Sequence, residues 1–193
     1  MFCAQQPNAR RARVCEMTPL HYFAFGANMN SVVLRRRRIE VLSREPARLR
    51  GYRLAFDLAG VPWVEPAFAS IVADPEHDVF GVLYQLTPEQ LGRVDSYEGR
   101  GYSVIEVEVE GKRSGTKRSR TYQAKHPAPG LRPSRRYWRI LCEAARENAL
   151  PPSYLRELRA HPSVHVPVLS EIVGRGIGVF EAVERSLNRM RAG

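Results

Sequence analysis

One carboxylate stands in a setting suited to moving protons. Glu98 lies in VDSYEGRGY (94–102), between Tyr97 and Gly99, where a helical pattern gives way to a strand. Shielding by Tyr97 and Tyr102 disfavours the ionised form and lifts its pKa toward values useful in proton transfer. Asp95, three residues earlier, adds like-charge repulsion. The same residues also fit a surface ion pair of Glu98 with Arg100, or the decoration of a helix end. A second segment, YFAFGANMN (22–30), runs an apolar strand into Gly26 and Asn28. A tight turn there, with a helix starting just after it, aims backbone N–H groups one way and can hold a carboxylate or a developing oxyanion. An ordinary strand-to-helix turn, in which Gly26 supplies an unusual φ, is the simpler account of the same pattern.

Other clusters are less specific. Four consecutive arginines at 35–38 can reach phosphate or a substrate carboxylate, but on a short helix they point all round, so a solvated charged face explains most of them. KRSGTKRSR (112–120) resembles a nucleic-acid patch, yet between two strands it reads as a mobile hairpin loop, and it lacks aromatic residues spaced for stacking. His161 and His165 are four apart, but Pro162 and Pro167 argue against a helix, and no third metal ligand is evident. Cys3, Cys15 and Cys142 form no C-x-x-C pair, which excludes a zinc ribbon and a thioredoxin-like site. Cys142 reads as a small core residue.

These residues must be positioned by a chain of 193 residues, 44% hydrophobic and 26% charged, which suits one domain with a sizeable core. No run approaches the roughly 20 apolar residues of a membrane-spanning helix, and the N-terminus lacks the apolar stretch of a secretory signal. The expectation is a soluble cytoplasmic protein with no membrane association. The net charge is +10, carried by 27 arginines and only three lysines. So lopsided a ratio fits GC-rich coding as well as a binding surface, and it implies only non-specific attraction to polyanions.

Residues 1–20 read as a poorly ordered basic extension, and residues 21–193 as a single domain. HYFAFG is a buried strand, and SVVLRRRRIEV a short helix with Ser31 as N-cap. ARLRGYRLAFDLAG and FASIVADPEHDVFGVLYQLT are strands punctuated by Gly, Pro and Asp. Pro88 opens a helix over PEQLGRVDSYEG. YSVIEVEVEG alternates apolar and acidic positions and pairs, across the basic loop, with TYQAKH. SRRYWRILCEAARENAL places Tyr137, Ile140, Leu141, Ala144 and Ala145 on one helical face. PPSYLRELRA is a further helix, and FEAVERSLNRM a last amphipathic one. Strands come mostly before helices, which indicates an α+β fold.

In combination these segments resemble the gamma-glutamylcyclotransferase family. The chain-initial YFAFGANM matches that family's turn, and VDSYEGRGY its D-x-x-E-G context. WVEPAFASIVADPEHDVFGVLYQL matches its small-residue strand, acidic turn and V-x-G-V-x-Y/W strand, and YWRILCEAARENALP its late helix with an E-N-x-L-P ending. The similarity covers nearly all of residues 21–160, in order; the stretch after His161 matches least. It implies a small mixed β-barrel of about six strands with helices packed outside, and cyclisation of a γ-glutamyl group to 5-oxoproline with release of an amine or amino acid.

The resemblance also implies roles. Glu98 is the proton carrier, the segment Tyr22, Phe23, Ala24, Phe25, Gly26 and Ala27 binds substrate through its backbone, and Tyr137 contacts substrate. No cofactor or metal is implied, the partner is a small γ-glutamyl molecule, and a homodimer is compatible with the pattern. Phe25 and Ala27 depart from the family's Tyr and Ser, removing two hydroxyls. That departure keeps open an alternative, a non-catalytic member of the fold that binds RNA or a protein partner through its basic surface.

Overall fold

The computed structural model describes residues 19–166. The basic extension, except its last two residues, and the amphipathic helix expected around FEAVERSLNRM lie outside the described residues. Five strands close into a barrel: β1 (Leu20–Ala24), β2 (Ser43–Val61), β3 (Glu65–Leu86), β4 (Tyr102–Gly111) and β5 (Gly115–Ala124). Their order around the barrel is β1-β3-β2-β4-β5. All pairings are antiparallel except that of β1 with β5, where Tyr22 faces Arg120 and the ring closes.

The expectation of about six strands is met by five because β2 and β3 are long and bent. Their register shifts between Arg50 and Tyr52, and again between Ala55 and Leu58. At the first bend Gly51 adopts a φ of +74°, which a side chain disfavours. The acidic segment Asp74–His77 is the opposite side of this bend rather than a turn between two strands.

Helices α1 (Ser31–Arg36), α2 (Pro88–Glu98), α3 (Arg135–Glu147) and α4 (Pro152–Ala160) pack outside. The N-cap of α1 is Asn30, not Ser31: its side chain accepts from the N–H groups of Val32 and Val33. Thr87 caps α2, with Pro88 in the first turn. Along α3, Tyr137, Leu141, Ala144 and Ala145 are buried as the periodicity predicts, with Cys142 beside them.

The basic segment 112–120 is mostly strand rather than loop. Only residues 112–114 turn, and β5 then sets Arg118 opposite Glu108 and Arg120 opposite Glu106. Arg118 also pairs diagonally with Glu106. Cross-strand pairing with the acidic face of β4 thus offsets charge that reads in sequence as a free patch. Among the described residues no helix is long and apolar enough to cross a membrane, and no three His, Cys, Asp or Glu residues converge as for a metal.

Candidate active site

β1 emerges from the barrel at Ala24 and enters a 3-10 turn, Ala27–Met29, that leads into α1. The first N–H groups of such a turn have no acceptor within it. Gly26 has a φ of −108°, open to any residue, so the expectation of an unusual φ does not hold. The space is close: a Cβ there would lie 3.3 Å from the Tyr137 hydroxyl, which would have to give by a few tenths of an ångström, and in ordinary contact, at 3.5 Å, with the Ala69 Cβ.

Glu98 is the last residue of α2. Gly99, at φ +62°, ends the helix with its N–H bonded to the Asp95 carbonyl, and so turns the Glu98 side chain toward the 3-10 turn. There Asn28 Nδ2 donates to Glu98 Oε1 at 2.8 Å and to the Tyr22 hydroxyl at 2.8 Å. Asn28 Oδ1 accepts from Arg37 Nη1 at 2.7 Å, which fixes the amide's orientation, and the same nitrogen lies 3.4 Å from Glu98 Oε1. The Arg37 guanidinium also stacks 4.8 Å from the centre of the Tyr97 ring.

Burial pushes the Glu98 carboxyl above the ordinary carboxylate range, while Arg37 and the Asn28 bond pull it back. Repulsion from Asp95 has the expected sign but is the smallest contribution. Asp95 is itself engaged, accepting from Arg120 at 2.9 Å and from the Tyr122 hydroxyl at 2.5 Å. Tyr97 shields Glu98 indirectly, by covering Arg37.

A single cavity joins these groups. It is lined by Tyr22, Phe25, Gly26, Ala27, Glu98 and Tyr137, all singled out from sequence. Phe23 and Ala24 do not line it; both are buried behind it, where the Phe23 carbonyl accepts from Thr121. Sequence reading raised the arginines at 35–38 without singling out Arg37, and it missed Tyr122 and the wall formed by Leu58, Phe68 and Ala69. It noted Asn28 only as a turn residue. Arg37 had a signal: it follows Val33 and Leu34 by four and three residues, so among the four arginines it alone shares their buried face.

Five tyrosines, Tyr22, Tyr97, Tyr102, Tyr122 and Tyr137, line the cavity. Tyr102 donates to the Ala69 carbonyl at 2.7 Å, and the Ala69 N–H donates to the Tyr137 hydroxyl at 3.3 Å, so two tyrosines brace one residue of β3 from its two sides. The arrangement offers one shielded carboxylate and one cation beside the 3-10 turn, around a space for a small molecule.

Residues 78–158 match the AIG2-like family. The chain is 32% identical over 161 aligned residues to the gamma-glutamylcyclotransferase of Homo sapiens, covering 78% of this chain and 83% of the human protein. It is 30% identical over 173 aligned residues to the gamma-glutamyl cyclotransferase gliK of Aspergillus fumigatus, covering 76% of this chain but only 63% of the fungal protein. A solved structure of a gamma-glutamyl cyclotransferase superposes with a TM-score of 0.67 at 25% identity, over 81% of this chain and 99% of the other.

Proposed function

The chain belongs to the gamma-glutamylcyclotransferase family, and on that premise we propose that it is an enzyme that cyclises a γ-glutamyl group to 5-oxoproline, releasing an amine or amino acid. The α-amine of the glutamyl group attacks its own γ-carbonyl carbon. The new lactam C–N bond forms and the C–N bond to the departing amine breaks. Nucleophile and electrophile are already one molecule, so fixing their orientation supplies much of the rate.

Glu98 is the proton carrier in this reading. Its carboxylate takes a proton from the substrate ammonium, freeing the attacking lone pair, and returns one to the departing nitrogen. Burial raises its basicity, while Asn28 and Arg37 keep the ionised form accessible. The N–H groups at the head of the 3-10 turn, around Gly26 and Ala27, are the donors for the developing oxyanion. Tyr22, Phe25 and Tyr137 shape the pocket for the glutamyl moiety, and Phe23 and Ala24 support it from behind. With Phe25 and Ala27 offering no hydroxyl, a hydrogen bond worth about 0.5–1.5 kcal/mol is absent at each position. Recognition therefore rests on backbone donors and the tyrosine hydroxyls.

One observation carries this reading: the Glu98 carboxylate faces the cavity and is tied through Asn28 to the turn that holds the donors. The test is 5-oxoproline release from a panel of γ-glutamyl amino acids and γ-glutamyl amines, with wild type and Glu98→Gln side by side. Wild type is expected to turn over at least one compound, and the variant to lose about 10²–10⁴-fold in rate. A variant as active as wild type would overturn the role of Glu98.

A further inference from the structure

Glu65 is wholly buried, at 0% exposure, and the chemistry above makes no use of it. It opens β3 just after the turn of the β2–β3 hairpin, paired with Val61. Its Oε1 accepts from the Ser134 N–H at 2.7 Å, and its Oε2 from the Ser134 hydroxyl. Ser134 Oγ in turn accepts from the Tyr137 N–H at 3.0 Å. An unbroken chain of hydrogen bonds therefore links the turn end of the hairpin to the backbone of a cavity residue.

The elements so joined are two walls of the same cavity. The hairpin contributes Leu58, Phe68 and Ala69, and α3 contributes Tyr137. The Phe68 ring meets the Tyr137 ring edge-on at 5.5 Å. Ser134 already caps α3, so helix formation does not require Glu65. Burying a carboxylate is costly, and Glu65 offsets part of that cost by accepting from the buried Ser134 N–H and hydroxyl, which an apolar side chain would leave without these acceptors. What the carboxylate supplies is a fixed placement of one wall against the other.

We propose that Glu65 is a positioning residue that fastens the β2–β3 hairpin to the first turn of α3, holding the Leu58–Phe68 wall and Tyr137 at the separation substrate binding requires. The proposal rests on the reading that this cavity binds the γ-glutamyl compound. Glu98 is held from other elements, by Asn28 and Arg37, so loosening the fastening affects binding more than chemistry.

The experiment compares wild type, Glu65→Leu, Glu65→Gln and Ser134→Ala by amide hydrogen exchange and by steady-state kinetics. In Glu65→Leu, amides of residues 58–69 and 134–138 are expected to exchange about tenfold faster or more, with β4 and β5 unchanged. KM rises about fivefold or more while kcat stays within about twofold. Glu65→Gln keeps an acceptor for the Ser134 N–H and restores both quantities. Should Glu65→Leu fail to fold, Ser134→Ala replaces it; this variant also removes the α3 cap, so it is read on residues 58–69 alone, where exchange is expected to quicken at smaller amplitude.

Exchange that is unchanged in these segments, or faster by the same factor throughout, overturns the proposal. So does a loss confined to kcat. Should wild type release no 5-oxoproline from any compound, the proposed function fails, and the exchange comparison still decides whether Glu65 fastens the hairpin.

Discussion

Asn28 makes three side-chain hydrogen bonds: its amide nitrogen serves Tyr22 and Glu98, and its oxygen accepts from Arg37. The protonation of Glu98 is thus set by a group on α1's trailing edge as well as by burial. Arg37 lowers the Glu98 pKa, so neutralising it with Arg37→Met raises that pKa further. In the proposed mechanism the carboxylate is the reactive form, so the acidic limb of the kcat/KM profile is expected to move to higher pH. The measurement is the pH–rate profile of the two proteins; an unmoved limb would show that Arg37 does not tune Glu98. The Met variant also strips Asn28 of a buried donor, at about 1–3 kcal/mol in stability. Glu98 was legible in sequence because an acidic residue before Gly99 at a helix-to-strand junction is locally distinctive. The amide hub was not, since Asn28 gains its role only when residues 37 and 98 arrive in space.

At the scale of elements, α2 works as a lever whose end is Glu98, and Gly99 sets the angle at which it stops. A φ of +62° strains any side chain, so Gly99→Ala is expected to destabilise the fold by about 1 kcal/mol. Turnover is expected to fall by more than that small loss explains, because the last turn of α2 re-aims the carboxylate. Thermal unfolding and kcat on the same samples check this, and a proportionate loss of both would argue against it. The helices and β4 were readable because their inward faces are apolar at the right period. β5 was readable only from Thr121 on, the part expected to pair with β4; in its first half the buried inward residue is Ser119 among basic neighbours, so hydropathy does not alternate and the segment reads as loop. Thr121 faces inward to bond the Phe23 carbonyl where β5 meets β1, a requirement of barrel closure rather than of local pattern.

For the molecule as a whole, the net charge of +10 coexists with many local pairings, so basicity does not by itself define a binding face. The buried charges weigh more on stability. Burial pushes the Glu65 carboxyl up to about 7 from an ordinary 4.5, against the pull of its Ser134 bonds and of Arg136. Between those values the native state holds a proton that the unfolded chain has released. Its contribution is therefore fully present below about pH 4.5 and is lost as pH rises through about 7. The whole span corresponds to about 3 kcal/mol. Glu98 acts with the same sign, but it is common to wild type and Glu65→Gln, so their difference isolates Glu65. Glutamine keeps the shape and carries no charge. The two proteins are expected to melt within about 2 °C of each other at pH 5, and wild type several degrees below the variant at pH 8. Calorimetry at the two pH values decides the matter. A variant less stable than wild type at pH 8 would mean that Glu65 is ionised and held as an ion pair with Arg136. Its burial would then contribute to stability rather than oppose it.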